Sequence, residues 1–311
     1  MNNRFFNITI TCAAFAIMFV LAPGIVAGQG FGRAPMQTVC PMEGLPYYKC
    51  ALEKLKTFKD FARTPEGHPD FNGAWRTGGM AAHESLEDHP QTIDDSGGFA
   101  VIVDPPDGKI PLQAWARVQQ VQNRAKYIDQ NINCFMSGVP RHMYMAPAYN
   151  WIQTPNYMAI PSEEAHATRI ITMDGRPHLG KDILLWQGDS RGRWEGDTLV
   201  VETTNQNGRI FLDQRGTFYT NAAKVTERIG YIGKDVIHYE ATIDDPLVYT
   251  RPFTVAFPMA KNANQKFEIW EESCYEGENT VQHLNSLGMS NYPGVLAPEA
   301  IEKAKAYKPS K

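Results

Sequence analysis

Most signatures of metal and cofactor chemistry are missing from this chain. It has no CxxC pair and no HExxH run, the spacings that commonly announce zinc. It has no CxxCH for haem, no glycine-rich nucleotide loop and no calcium loop of the EF-hand kind. Strand–helix–strand alternation is absent, which disfavours a parallel nucleotide-binding sheet. The 30 basic residues are outnumbered by 34 acidic ones and form no stripe interleaved with aromatics. A formal charge of −4 therefore argues against a nucleic-acid partner. Beyond residue 28 no apolar run approaches the roughly 20 residues that a membrane span requires. What remains is side-chain chemistry, with no cofactor and no metal expected.

The first 28 residues read as an export signal. MNNR is short and positive, FFNITITCAAFAIMFVLAP is mostly apolar, and GIVAGQG ends in small residues suited to cleavage after Ala27 or Gly28. Asn7, Thr9, Thr11 and Pro23 interrupt the run, against a retained anchor. The mature chain is expected to be periplasmic or secreted, with no stable membrane anchor. Cysteine usage agrees. Cys12 leaves with the signal, and Cys40, Cys50, Cys134 and Cys274 remain, an even set that favours disulfides in an oxidising compartment. Four cysteines allow three connectivities. The expected one pairs Cys40 with Cys50 as a local staple and Cys134 with Cys274 as a long closure.

Organisation follows from periodicity. Residues 29–63 form an N-terminal arm, in which Leu52, Leu55 and Phe58 mark a short amphipathic helix over 49–62. Residues 77–98 read as a long polar loop rich in His, Asp and Gly. A strand over Phe99–Val103 ends at two prolines, and Trp115, Val118, Val121, Ala125 and Ile128 share one face of a second helix over 112–128. From about residue 145 the chain is a run of strands broken by turns. They include ATRIITMDG, DILLWQGD, GRWEGDTLVVETTN, TERIGYIGKDVIHYEATIDD, YTRPFTVAFPM and QKFEIWEESCYE. Gly196-Asp197 suits a type II′ hairpin turn, and Gly233-Lys234-Asp235 separates two more strands. The fold class is mainly β: an antiparallel barrel over residues 64–280, which removes sheet edges, with long loops and a helical N-terminal arm. Residues 281–311 form a tail ending in a frayed, solvated helix.

Two features carry a resemblance. Gly73-Ala74-Trp75, opening the first strand of the barrel, is similar to the GxW signature of lipocalins and their calycin relatives, where the Trp plugs one barrel end. IVDPPDGKIPL, CFMSGVPR, the Glu163–His166–Arg169 spacing, DGRPH, GDSRGRWEGDTLVVETT, VTER and YEATIDDPLVYTRPFTV follow one another in this order. Together, over residues 64–277, they resemble a secreted, largely uncharacterised bacterial family with a lipocalin-like β-domain. The resemblance implies fold and export more than activity, and it also supports the Cys134–Cys274 bridge. Where the family pattern has a His-Ser pair before VTER, this chain has Tyr219-Thr220-Asn221.

Candidate site residues gather in EEAHATRIITMDGRPH. As a strand over 163–171, it would place Glu164, His166, Thr168 and Ile170 on one face, and Arg169 and Ile171 on the other as barrel wall. Glu164 and His166 could then share a proton, as acid–base catalysis requires; the alternative is a solvated face. Met173 to Arg176 would form a turn. Arg141, close to Cys134, could hold an anion or an oxyanion, or belong to a plain surface loop. His178 is a second candidate, otherwise a solvated loop residue. Trp186 is offered as cavity lining or core, Asp189 as a turn cap or binding group, and Tyr249 as a binding residue beyond the Asp244-Asp245-Pro246 turn.

Three functions fit. One is an exported, cofactor-independent lyase, hydratase or isomerase, with His166 and Glu164 moving a proton of a small, partly apolar molecule. Another is a non-catalytic carrier of a small hydrophobic or aromatic ligand, which a barrel of this size can hold. The third is an envelope interaction module using the 77–98 loop. Convergence of titratable groups inside the barrel favours the enzyme; a lining of Trp, Phe, Met and Val alone favours the carrier.

Overall fold

The computed structural model describes residues 39–309 apart from 43, 94, 263, 265 and 271–278, so the expected export signal lies outside the described residues. The elements run α1 (Gly44–Thr57), β1 (Gly73–Thr77), β2 (Ile102–Asp104), α2 (Ala114–Lys126), β3 (Tyr127–Ile128), α3 (His142–Met145), β4 (Tyr149–Gln153), β5 (Tyr157–Pro161) and β6 (Thr168–Thr172). They continue with β7 (Asp189–Glu195), β8 (Thr198–Thr204), β9 (Lys224–Gly233), β10 (Val236–Asp244), β11 (Phe253–Lys261), α4 (Thr280–Ser286), β12 (Ser290–Asn291) and α5 (Ala297–Ala306).

Among the described residues, β1 and β4 to β11 form one sheet that closes through a β1–β11 pairing into a nine-strand barrel, with β2 added beside β11. This architecture is compatible with a lipocalin-like fold. The sequence leads to an expectation of antiparallel pairing throughout, and the structure departs from it at one place, where β6 and β7 run parallel. The cause is local. Residues 173–188 form a crossover instead of a tight turn, and the first residues of β7 pair in parallel with the last of β6, Ile171 with Ser190 and Thr172 with Arg191. DILLWQGD, expected as a strand, lies in this crossover, and its Ile183, Leu184 and Leu185 are exposed. The Gly196 turn forms as expected, with φ 61° at Gly196 and strands paired from Glu195–Thr198 onward.

Alternation along each strand sends one phase inward. On β9 the inward phase is Val225, Glu227, Ile229 and Tyr231; on β10 it is Ile237, Tyr239, Ala241 and Ile243, each opposite its β9 counterpart. Trp75 enters the barrel fully buried, packed on Trp151 and Tyr231 with ring centroids 6.2 and 6.0 Å away, and its indole N–H donates to the Phe71 carbonyl. Gly73 has φ 120°, and a Cβ there would lie 2.8 Å from the Lys261 side chain. The GxW stretch thus does what its resemblance implied: the Gly admits a close neighbour and the Trp plugs one end.

The outward phase of β10 is buried for a different reason. The arm helix is α1, earlier in the chain than the 49–62 span expected, and it lies over this face. Tyr47 Oη donates to His238 Nδ1 at 2.8 Å, and His238 Nε2 donates to Glu240 at 3.1 Å. A Cys40–Cys50 disulfide ties the lead-in to this helix, a bond compatible with an extracellular or periplasmic protein. Cys134 is also disulfide-bonded; Cys274, its expected partner, lies outside the described residues. The C-terminal helix is not simply frayed and solvated, since α5 buries Ala300 and Tyr307 packs against the core.

Replacing Cys40 and Cys50 together by Ser should lower stability by about 2–3 kcal/mol, from restored chain entropy in the unfolded state. A urea titration should show the midpoint falling while the near-ultraviolet signal of the buried tryptophans persists.

Candidate functional site

Among the described residues, the barrel interior is mostly apolar and carries one charged cluster. Arg169 on β6 and Glu227 on β9 are both on the inward phase, and each is at most 1 % exposed. Arg169 Nη1 donates to Glu227 Oε1 at 2.7 Å, and Nη2 donates to Oε2, giving a two-point pair. Nη2 also reaches Ser190 Oγ at 3.1 Å and Thr203 Oγ1 at 3.2 Å. Tyr239 donates its phenol proton to Glu227 Oε1 at 2.6 Å. Arg169 Nε has no hydrogen-bond partner. Burial opposes the Arg169 cation, but Glu227 beside it prevails and raises its pKa. Burial, and next the Glu227 charge, push the Tyr239 phenol well above its ordinary range, so it remains a proton donor.

A cap covers this cluster. His142 is fully buried on α3, its ring edge-on to Tyr149 at 5.7 Å. Its Nε2 faces the Ile160 carbonyl at 3.3 Å, so it carries the proton, while Nδ1 accepts from Gln187 at 3.2 Å. Burial first, then the Arg169 charge, lower its pKa to about 3. It is a neutral ring under all ordinary conditions. Tyr219, in the stretch that departs from the family's His-Ser pattern, donates to the Val139 carbonyl at 2.9 Å and also to Gln206.

The residues singled out from sequence fall in three places. Glu164 and Arg141 meet at the rim of the cap. Glu164 is 8 % exposed and accepts from Ser137 Oγ at 2.7 Å and from Asn131. Arg141 is buried in a two-point pair with Asp129 at 2.8 and 2.7 Å, and reaches the Phe211 carbonyl at 3.2 Å. Asn131 N–H donates to that same Asp129, which links the two groups. Trp186 borders this rim, stacked on the half-exposed Phe135 at 4.9 Å. The second place is the outer barrel face. There Asp189 accepts from His178 Nδ1 at 2.9 Å, from the Leu179 amide at 3.0 Å and from Arg191 at 2.9 Å. Tyr249 stands in a third place, donating to the Phe218 carbonyl at 2.7 Å from within the core. Asp245 accepts from Thr220 N and Oγ1 at 2.7 and 2.9 Å, so Asp-Asp-Pro works as a turn cap.

One geometric expectation fails. Residues 163–171 are not one strand: Glu164 to His166 form a single 3₁₀ turn with Ala165 at φ 52°, and the strand starts at Thr168. Strand alternation therefore does not apply to Glu164 and His166, and the His166 side chain, the other proposed proton carrier, lies outside what the structure describes. From Thr168 onward it holds, with Thr168 and Ile170 exposed and Arg169 and Ile171 buried. The reading of Arg169 as plain barrel wall misses its charge. Glu227 and Tyr239 escape notice for the same reason, although each breaks an inward apolar phase (Val225-x-Glu227-x-Ile229 and Ile237-x-Tyr239-x-Ala241). A charge on the apolar phase of a strand is the signal that could have found them.

Neutral His142 has a consequence for acid stability. Its folded pKa of about 3 lies below the ordinary imidazole value of 6.5, so the unfolded chain binds the extra proton between these limits. This contribution is complete above pH 6.5 and is lost as pH falls toward 3, amounting to several kcal/mol by the usual 1.36 kcal/mol per unit. Buried Asp213 and Asp245 have raised pKa values and act in the opposite sense. The comparison with His142→Asn isolates the histidine: urea midpoints between pH 7 and 4 should fall more steeply in the natural protein than in the variant.

The chemistry of the cluster stands without a relative to lean on: no family model matches the chain, and no curated protein or solved structure matches it.

Proposed function

We propose that the protein is an exported, cofactor-independent acid–base enzyme of the lyase, hydratase or isomerase type, a member of the secreted lipocalin-like family it resembles, and that the barrel cluster is its machinery. One observation carries this reading. Five strands, drawn from four motifs of the resemblance, supply one polar side chain apiece to a single buried network: Arg169, Ser190, Thr203, Glu227 and Tyr239. An ion pair sealed in an apolar core is a poor way to stabilise a fold, because desolvation offsets most of its attraction. Chemistry is a better reason to keep one.

The roles follow from the geometry. The substrate is a small, partly apolar molecule with a carbonyl oxygen, which the unpartnered Arg169 Nε would receive. Glu227 takes a proton from the carbon beside that carbonyl. Negative charge then builds on the oxygen, facing the guanidinium. Tyr239, kept protonated, lends its proton to that oxygen and takes it back as the charge collapses, while Glu227 gives the abstracted proton back at the new position or to a leaving hydroxyl. Glu164 and Arg141, with Trp186 and Phe135, would line the way in. The carrier reading survives as the other outcome of the same experiment.

Untagged mature protein is incubated in D₂O with a small-molecule extract of its host, and products are followed by mass. Deuterium uptake or conversion is expected, and it should fall by about 100-fold or more in Tyr239→Phe. That variant loses one hydroxyl and about 1 kcal/mol of stability, so it stays folded. A component retained with unchanged mass and no deuterium, equally in both proteins, would make the barrel a carrier.

A further inference from the structure

The polar 77–98 loop contains a group of side chains that the barrel chemistry does not use. Glu84, His89 and Asp95 each offer one ligand atom, all within 4.8 Å of one another. His89 Nε2 lies 3.2 Å from Asp95 Oδ1 and 3.5 Å from Glu84 Oε2. Its side chain is 4 % exposed, yet Nε2 has no hydrogen-bond partner. The reason is the tautomer. His89 Nδ1 faces the Glu87 carbonyl at 2.8 Å, and a carbonyl only accepts, so Nδ1 carries the proton. Nε2 then presents a lone pair toward two carboxylate oxygens. Three electron-rich atoms aimed at one point call for a cation between them.

The geometry points to a site for a zinc-class divalent cation held by His89 Nε2, Glu84 Oε2 and Asp95 Oδ1. Donors bound at 2.0–2.2 Å around a tetrahedral ion stand about 3.3–3.6 Å apart, and the two distances from Nε2 lie close to that edge. One imidazole with two carboxylates suits Zn²⁺ or a similar first-row ion better than Mg²⁺ or Ca²⁺, which prefer oxygen throughout. The outer contacts are those of a metal site. Ser96 N and Oγ both donate to Glu84 Oε2 at 3.0 Å. Gly97 N donates to Asp95 Oδ1 at 2.8 Å, and Arg215 donates to Asp95 Oδ2 at 2.6 Å. The His89 and Gly98 backbones exchange hydrogen bonds at 3.0 Å. A Cβ at Gly98 would come within 2.4 Å of Ala81 and 3.2 Å of the His89 ring, so this close fold-back requires glycine. His83 Nε2 stands 3.8 Å from the other Glu84 oxygen. A depression of about 690 Å³ borders His89, with Glu87, Asp88 and Asp213 also in its lining. Sequence reading missed the set because its spacing, five and six residues apart, matches no familiar zinc motif.

The test uses the untagged mature protein, stripped with chelator and dialysed against Zn²⁺ or Mg²⁺ alone, with bound metal counted by mass spectrometry and affinity measured by calorimetry. One equivalent of Zn²⁺ per chain is expected, with Mg²⁺ at least about tenfold weaker. Glu84→Gln and His89→Asn should each weaken Zn²⁺ by at least tenfold, while His283→Ala, at an exposed position, leaves it unchanged. Zn²⁺ should also raise the melting temperature of the natural chain but of neither site variant. If the natural chain binds no Zn²⁺, or if Glu84→Gln and His89→Asn bind it as tightly as the natural chain, the assignment fails. A His89→Asn chain that does not fold leaves the decision to the near-isosteric Glu84→Gln.

Discussion

The Arg169–Glu227 pair is the constraint around which this barrel is organised. Two full charges on the inward phase of β6 and β9 oblige neighbouring strands to supply polar partners, and β7, β8 and β10 do so with Ser190, Thr203 and Tyr239. The same charge reaches into the cap. His142 is held neutral by burial and by Arg169, and the cap therefore closes over the cation with a ring whose two nitrogens are already engaged. A barrel built only for packing would place aliphatic groups at these positions, as it does at Ile229, Val201 and Val255. Retaining charge here means that something other than core stability sets the residue choice.

The two barrel ends are treated differently. One is closed by aromatic packing: Trp75 and Trp151 lie inside it, with Phe71 and Tyr231 alongside, and His68 stacks on Trp194 at 4.6 Å. The other is closed by a polar cap of His142, Tyr149, Gln187, Gln206 and Tyr219, bordered by Glu164, Arg141 and the Phe135–Trp186 stack. The polar end lies beside the Arg169–Glu227 pair, which makes it the entrance that the proposed chemistry would use. The 77–98 loop joins this capped side through Leu86 N to Asp213 and Gln214 N to His83.

Much of the framework is legible in the residue pattern. Period-two alternation gives the strands of β9, β10 and β11, Gly196-Asp197 gives the β7–β8 hairpin, and Gly73-Ala74-Trp75 gives the plugged end. The Cys40–Cys50 staple is legible from spacing and compartment. The parallel β6–β7 junction is not, because an apolar crossover such as DILLW has the composition of a strand and only tertiary pairing distinguishes them. The site is harder still. Glu164 is visible beside His166, and Arg141 close to Cys134, but convergence of Arg169, Glu227 and Tyr239 from three strands needs the register, which sequence spacing alone does not carry. The cation group was hidden in a stretch read only as polar loop, since a histidine tautomer is set by a carbonyl that sequence does not show.

Chemical denaturation of an Arg169→Met/Glu227→Met double variant, beside the natural chain, tests the central claim most directly. Removing both charges together leaves no buried ion unpaired, whereas either single change strands one at a cost of about 3–5 kcal/mol. If the pair is kept for chemistry, the double variant should be as stable as the natural protein or more so, and unable to move deuterium into the host extract. A double variant several kcal/mol less stable than the natural chain, or one that still exchanges deuterium at the natural rate, would contradict the account and return the pair to the architecture of the barrel.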